Sequence, residues 1–123
     1  MSKVINIEKC FKMFDEPFSP KIVGELNGQL VMVVRCEGDK VPWHVHDNED
    51  EMFYVVDGVL NILEKDKDMT LRSGEMYIVK RGTEHRVVPQ GHVKLILFEP
   101  AGIKHTGEIE SEITKKQFDK LKI

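Results

Sequence analysis

Near the amino end of the chain, apolar residues repeat at helical spacing. One face of the predicted helix is formed by Ile7, Cys10, Phe11 and Phe14. Asn6 precedes this face and can cap the first turn, because an Asn side chain accepts from a free backbone N–H there. Pro17 and Pro20 follow, and the residue before a proline disfavours helix. The pattern predicts a short helix over Asn6–Glu16.

From Lys21 onward the apolar residues alternate with polar ones, which is the period of a strand. Asn27-Gly28 and Asp57-Gly58 each lie between two such segments, and this dipeptide type is a strong hairpin signal. Glu64–Asp68 reads as a polar turn. Many short strands with glycine turns are typical of an all-β sandwich or closed barrel. The predicted strands are Ile22–Leu26, Gln29–Cys36, Met52–Val56, Val59–Leu63, Met76–Lys80, His85–Val88 and Val93–Phe98.

The chain becomes polar after Pro100, and this part forms a carboxy-terminal extension. Within it, Lys115–Ile123 has the spacing of an amphipathic helix with Phe118 and Leu121 as its apolar contacts. At 123 residues the chain predicts one domain, 1–123, with the barrel core at about 21–100.

The net charge of −3 at pH 7 argues against nucleic acid and anionic membrane as partners, since both require a basic surface. The longest apolar run, Leu30–Val34, is far shorter than a membrane span. The first residues do not resemble a secretory signal, so we expect a cytoplasmic protein. In that compartment Cys10 and Cys36 are expected to be unpaired buried residues.

Candidate chemistry is concentrated in two segments that together hold three of the five histidines. His44 and His46 are spaced i, i+2, so in a strand both imidazoles point to one face. Glu51 follows, and we expect it on an adjacent antiparallel strand, with His85 as a fourth ligand. Imidazole and carboxylate suit a divalent transition metal such as Fe, Mn, Ni, Cu or Zn. The alternative is a vestigial site whose residues hydrogen-bond only one another. Glu49 has the same strand parity as Glu51 and is its rival.

The spacing of these residues resembles the first motif of the cupin superfamily, G-x5-H-x-H-x3–4-E-x6-G. Every position of that motif is matched, by Gly38, His44, His46, Glu51 and Gly58. The second motif, G-x5-P-x-G-x2-H-x3-N, is matched at Gly74, Gly82 and His85, while Lys80 and Pro89 depart from it. The resemblance implies a double-stranded β-helix, or jelly-roll barrel, that is usually a homodimer. It also implies a metal held by His44, His46, Glu51 and His85, and the spacing to Gly58 favours Glu51 over Glu49.

More loosely, the chain is similar to small cupins described as mannose-6-phosphate isomerase-like. This similarity rests on Lys21–Gly28 and Phe98–Ala101. It implies a metal-dependent enzyme acting on a small oxygenated molecule, either a sugar or keto-acid isomerase or a dioxygenase. The alternative is a non-catalytic module that binds or senses a small molecule. Glu49 is the one candidate general base, and an apolar pocket wall is expected from Phe53, Val55 and Val87.

Overall fold

A computed structural model describes residues 3–101 and 118–123. It confirms the prediction of a mostly β protein with a short amino-terminal helix. The elements are α1 (Ile7–Phe11), β1 (Lys21–Leu26), β2 (Gln29–Cys36), β3 (Glu51–Glu64), β4 (Asp68–Arg72), β5 (Met76–Val79), β6 (His85–Pro100) and β7 (Asp119–Lys120). No helix in this part of the chain is long and apolar enough to cross a membrane.

The strands form one sheet in the order β4-β3-β6-β2-β1-β7, with β5 paired to β3. Every pairing is antiparallel except that of β1 with β7. The two longest strands, β3 and β6, pair from Met52↔Phe98 to Glu64↔His85. Their inward residues meet those of β2, β4 and β5 in a single core cluster. The bent sheet therefore wraps around one interior, as a jelly-roll barrel does.

The Asn27-Gly28 hairpin is confirmed. Leu26 pairs with Gln29 across it, so the loop contains two residues. Asn27 and Gly28 have φ values of 52° and 76°, and a hairpin turn of this type requires positive φ at both positions. The turn predicted at Glu64–Asp68 is also present, closed by Glu64 N–H donating to the Lys67 carbonyl (2.9 Å). Strand β4, which follows it, was not predicted.

The hairpin predicted at Asp57-Gly58 is wrong, because β3 continues through it. The β3–β6 register shifts on both sides of Asp57, so the dipeptide forms a bulge that bends the strand. Gly58 has φ +102°, and a Cβ there would lie 2.8 Å from the His92 carbonyl oxygen. Strand β6 likewise continues through Pro89–Gly91, which were predicted to separate two strands. Gly58 therefore allows β3 and β6 to approach closely, and it does not reverse the chain.

The amino-terminal helix is shorter than predicted. Asn6 caps it as expected, accepting from Lys9 N–H (2.9 Å), but the helix ends at Phe11 and not at Glu16. The Arg35 guanidinium donates to the carbonyls of Phe11 and Phe14 (2.9 Å to Phe14). Carbonyls left open at a helix end need such donors. The tertiary contact with Arg35 therefore replaces further helical turns.

The carboxy-terminal helix predicted for Lys115–Ile123 is wrong for the residues that the structure describes, 118–123; residues 115–117 lie outside them. Asp119–Lys120 form β7, which is paired with β1. The buried Lys21 amine lies 3.3 Å from Asp119 Oδ2, and Leu121 N–H donates to the Ile22 carbonyl (2.9 Å). These contacts fix an extended backbone that the apolar spacing of Phe118 and Leu121 did not indicate. Cys10 and Cys36 are buried and unpaired, as predicted.

Candidate metal centre

The structure brings the four predicted ligand residues together. His44 lies in the irregular segment between β2 and β3, and it forms an isolated bridge with His85 at the start of β6. The two backbones exchange hydrogen bonds of 3.0 and 2.9 Å. Glu51 begins β3 and pairs with Val79 of β5. The sequence predicted that Glu51 lies on the strand next to His44 and His46. That prediction is wrong, because the strand next to His44 is β6, which carries His85.

The ligand atoms of His44, His46, Glu51 and His85 all lie within 4.8 Å of one another. Each of the four residues is at most 5% exposed. Glu51 Oε1 is 3.4 Å from both His46 Nε2 and His85 Nε2. A cluster this compact could be spanned by one ion, because metal–nitrogen and metal–oxygen bonds are about 2.0–2.2 Å long.

Two of the imidazoles are oriented by backbone carbonyls. His44 Nδ1 donates to the Pro42 carbonyl (2.9 Å), and His85 Nδ1 donates to the Thr83 carbonyl (3.0 Å). A carbonyl can only accept, so Nδ1 carries the proton and Nε2 keeps its lone pair. In both residues the carbonyl belongs to the residue two positions earlier. Metal-ligating histidines are commonly held in this way.

The cluster fits a divalent metal. Within residues 3–101 and 118–123, no hydrogen-bond partner reaches Nε2 of His44, Nε2 of His85 or Oε1 of Glu51. Buried polar atoms without partners are unfavourable and uncommon, so three of them facing one another point to a group that would satisfy all three. Nitrogen and oxygen donors of this kind suit the transition metals predicted from the sequence. The hydrogen-bonded alternative leaves these atoms unexplained.

Burial and charge keep the cluster in the protonation state that binds metal. Burial, followed by the nearby His85, lowers the pKa of His44 to about 4. Burial would raise the pKa of Glu51, but the imidazoles of His46 and His85, each 3.4 Å from Glu51 Oε1, outweigh it and hold that pKa below its usual value. At neutral pH the cluster therefore presents a neutral His44 and an ionised Glu51, as metal ligation requires.

In the metal-free protein, the His44 imidazole is expected to titrate with a midpoint near pH 4, not 6.5. Because its folded-state pKa is the lower one, the unfolded chain takes up this proton first as pH falls. The stability associated with neutral His44 is thus complete above pH 6.5 and decreases as pH falls towards 4. The decrease amounts to about 3 kcal/mol. NMR of the labelled ring measures the midpoint, and a value near 6.5 would contradict this burial effect.

A second buried carboxyl, Glu99, was missed in the sequence. It is 0% exposed, and no donor in the described part of the chain reaches either of its oxygens. Burial, followed by the charge of Glu51, raises its pKa well above the usual value. The strand pattern contained a signal for it. Inward positions of β6 alternate from Val93 to Leu97, and Glu99 is the next one.

The other acidic residues of this segment lie outside the cluster. Glu49, the predicted rival and candidate base, is half-buried in the loop before β3 and is not one of the four clustered residues. Asp50 points away, accepting from Arg81 N–H (2.9 Å). Trp43, next to His44 in the chain, is 38% exposed. His44 is only 1% exposed, so the two neighbouring side chains differ sharply in burial.

A small apolar cavity adjoins the cluster. Its volume is about 40 Å³, and His44 and Glu51 contribute to its wall. The predicted wall is confirmed for Phe53 and Val87, whereas Val55 is buried in the core without lining the cavity. The remaining lining residues are Phe18, Pro20, Val34, Cys36, Val41, Leu95 and Leu97. The cluster therefore faces a confined space whose other walls lack charged side chains.

Comparison with known families identifies this architecture. A family model described as "Cupin domain" matches residues 30–99, which include all four clustered residues and more than half of the chain. The chain belongs to the cupin family. This cupin is 31% identical over 87 residues to the uncharacterized protein YdbB of Bacillus subtilis, covering 70% of the chain and 76% of YdbB.

Solved structures of similar cupins agree with the fold. A cupin-2 domain protein from Shewanella frigidimarina is 36% identical, with a TM-score of 0.76; the match covers 79% of this chain and 94% of that one. A protein from Neisseria meningitidis is 28% identical, with a TM-score of 0.71, over 80% of this chain and all of the other (100%). The similarities support the cupin fold and name no reaction.

Proposed function

We propose that this cupin is a metal-dependent enzyme that acts on a small oxygenated molecule. His44, His46, Glu51 and His85 would hold a divalent transition metal. The observation that carries the proposal is the convergence of four buried ligand atoms within 4.8 Å, several of them without any other partner. Structural zinc sites also use four ligands, but those sites are closed. Here an apolar cavity adjoins the cluster, which leaves room for a further ligand.

When bound, the metal would act as a Lewis acid or bind a small oxygen species. The protein's own contribution would be orientation and exclusion of water. The carbonyls of Pro42 and Thr83 would hold the two imidazoles in place. Phe53, Val87 and their neighbours would keep the reacting face dry, which strengthens electrostatic interactions there. Glu49 does not line the cavity, so the proposal gives it no role as a general base.

Between the two reaction types, the cavity favours the dioxygenase type. A sugar needs hydrogen-bond partners for its hydroxyl groups, and a phosphorylated sugar needs cationic side chains as well. The cavity wall offers neither beyond His44 and Glu51. Arg86 is engaged with Asp39 and the Val41 carbonyl (2.9 Å). The volume of about 40 Å³ would admit about three water-sized molecules. An O₂ molecule beside one end of a keto or diketone substrate fits this space better than mannose 6-phosphate does.

The test is oxygen uptake by untagged protein purified without chelators. Metal content is measured first by plasma mass spectrometry, and the protein is then reconstituted separately with Fe²⁺, Mn²⁺, Ni²⁺, Cu²⁺ and Zn²⁺. The expected result is metal-dependent O₂ consumption with keto acids or diketones and none with sugars. Isomerisation of a sugar without O₂ uptake would support the isomerase type instead. Tight ligand binding with no turnover of any candidate would support the non-catalytic binding module.

A variant of a cavity residue tests the role of the cavity in turnover separately from metal binding. Val34→Leu adds one methylene to a lining residue without touching a ligand. We expect it to retain the metal and to lose most of the oxygen uptake, because the space beside the cluster is small. A variant with unchanged turnover would mean that the substrate does not enter this cavity.

We also propose that the protein is a homodimer. Met76 and Ile78 on β5 are 54% and 39% exposed, and they pair with Tyr54 and Met52 of β3. This outward apolar strip lies at the side of the sheet where, among the strands that the structure describes, β5 pairs with β3 alone. A second copy could cover both the strip and the open strand edge. Light scattering at micromolar concentration is expected to give twice the chain mass, and a monomer would contradict the proposal.

A further inference from the structure

Phe18 separates two spaces in the protein. It lines the apolar cavity of about 40 Å³ that adjoins the four clustered residues. It also lines a larger groove on the surface, with a volume of about 650 Å³. Among residues 3–101 and 118–123, no other residue lines both spaces. The remaining residues of the groove are Pro17, Glu37, Gly38, Lys40, Gly91 and His92.

The groove lies directly behind the wall of the cavity. Cys36 lines the cavity, and the next residue, Glu37, lines the groove. Lys40 lines the groove, and the next residue, Val41, lines the cavity. The chain therefore passes from one lining to the other at two points besides Phe18. Because Phe18 belongs to both linings, removing its ring would join the two spaces.

The backbone holds Phe18 in an unusual conformation. Its φ is 55°, in the left-handed region, where a bulky L residue is strained. Two contacts with Arg35 keep it there: Phe18 N–H donates to the Arg35 carbonyl (2.7 Å), and Pro17 forms an isolated bridge with Arg35. Strain of this kind persists only where the surrounding structure imposes it, and it is concentrated at ligand clamps and active sites. With the backbone fixed, the ring is the part that can move.

The size of the cavity requires a substrate to extend past Phe18. A cavity of about 40 Å³ holds only the reacting end of an organic molecule, since ligand sites usually measure about 300–1,000 Å³. The Phe18 side chain is 7% exposed, so the ring stands between the cavity and the groove. The groove is large enough for the remainder of such a molecule.

We infer that Phe18 is a gate and a specificity-determining residue: its ring turns aside to admit one end of the substrate from the groove, and its size limits how bulky that end can be. The inference rests on the function proposed above and adds the entry route and the form of the substrate. A slender keto or diketone end would reach the cluster. The groove wall carries Glu37, Lys40 and His92, so a polar remainder fits it better than an aliphatic one.

The gate can be tested without metal or turnover, because Cys36 lies behind Phe18 in the cavity wall. Phe18→Gly removes the ring, and glycine adopts a φ of 55° without strain. The folded, metal-free protein is treated with N-ethylmaleimide, and the rate of modification at each cysteine is measured by mass spectrometry. Cys10 belongs to a separate core cluster and is the internal control.

We expect Cys36 to react at least about tenfold faster in Phe18→Gly than in the wild type, with Cys10 unchanged, because a thiol reacts only where the reagent can reach it. The matched control is Phe14→Ala, which removes a buried ring from the cluster of Cys10 and not from the cavity wall. In that variant Cys36 should stay as protected as in the wild type.

Two results would contradict the gate. An unchanged rate at Cys36 would mean that the ring does not close the cavity. Equal acceleration at Cys36 and Cys10 would mean that losing the ring loosens the whole fold. If Phe18→Gly does not fold, Phe18→Leu takes its place, because it keeps an apolar side chain in the core while removing the ring. It should still accelerate Cys36 alone.

Substrate preference provides a second measurement. Oxygen uptake is followed with 2-keto acids that are linear or branched beside the keto group. The wild type should prefer the linear acids. Phe18→Gly should raise kcat/KM for the branched acids by about tenfold relative to the linear ones, since one methylene in an apolar pocket changes discrimination by about 10–200-fold. An unchanged order of preference would contradict the role in specificity.

The two measurements distinguish failure of this inference from failure of the proposed function. Faster modification of Cys36 in Phe18→Gly, with no turnover of any keto acid by either protein, would support the gate and count against the proposed enzyme. Normal turnover by the wild type, with the same Cys36 rate and the same substrate preference in Phe18→Gly, would overturn the gate alone.

Discussion

His46→Ala is expected to bind Zn²⁺ or Co²⁺ at least a hundredfold more weakly than the wild type while remaining folded. Losing only the partner of a ligand costs about 10–100-fold in affinity, and losing the ligand itself should cost more. His46 approaches Glu51 Oε1 at 3.4 Å in the centre of the cluster. Affinity is measured by chelator competition, and the fold is checked by circular dichroism.

His92→Ala is the matched control for this variant. His92 is an exposed histidine outside the cluster, and its ring contacts Arg35 (2.9 Å). The sequence places it outside both motifs. Its removal should leave metal affinity unchanged. If His46→Ala and His92→Ala bind metal equally well, the cluster does not hold the ion.

Metal should also stabilise the wild-type fold by mass action. A ligand that binds only the folded state at a free concentration a thousandfold above its dissociation constant adds about 4 kcal/mol. That gain appears as a rise in melting temperature on adding metal. A site weakened a hundredfold would keep only about 1.4 kcal/mol of that gain at the same metal concentration. The rise should therefore be reduced to about a third or less in His46→Ala and preserved in His92→Ala.

Gly58→Ala is expected to lower the free energy of unfolding by about 2–4 kcal/mol, because two costs combine. The backbone has φ +102°, where an L side chain is strained. The added Cβ would also lie 2.8 Å from the His92 carbonyl oxygen and 3.1 Å from Val93 Cα. Both are backbone atoms of the facing strand and cannot rotate away. Denaturant unfolding measures the loss.

Gly74→Ala separates the cost of backbone strain from the cost of the steric clash. Gly74 also has a positive φ of +87°, but no atom of residues 3–101 or 118–123 lies within 4 Å of a Cβ built there. This variant should lose only the backbone term, about 1 kcal/mol. Equal losses in the two variants would show that the close approach of β3 and β6 at Gly58 contributes nothing.

The cluster could be predicted because its residues carry local signals. His44 and His46 are close in the chain, and the spacings to Glu51 and Gly58 follow a known motif. Strand parity then predicted that Phe53 and Val87 line the interior, as they do. The pairing of His44 with His85 could not be predicted in the same way. It joins segments far apart in the chain, and register between such segments depends on the whole sheet.

The errors share a physical origin, which is that tertiary contacts override local preferences. Asp57-Gly58 has the composition of a hairpin turn, yet the pairing of β3 with β6 on both sides of it keeps the strand continuous. The predicted helix does not continue beyond Phe11, because Arg35 donates hydrogen bonds to the carbonyls of Phe11 and Phe14. Glu99 escaped notice because a lone glutamate in a strand is usually exposed. Its burial follows the inward alternation of β6, which was the one signal that pointed to it.

Trp43 gives the protein a built-in optical reporter. It is the one tryptophan of the chain, it precedes His44 directly, and it is 38% exposed. An ion with unpaired electrons, such as Cu²⁺ or Fe²⁺, should quench its emission when bound by the neighbouring residue. Zn²⁺ has a filled d shell and should leave the emission nearly unchanged. A simple fluorescence titration could therefore distinguish classes of bound ion without any label.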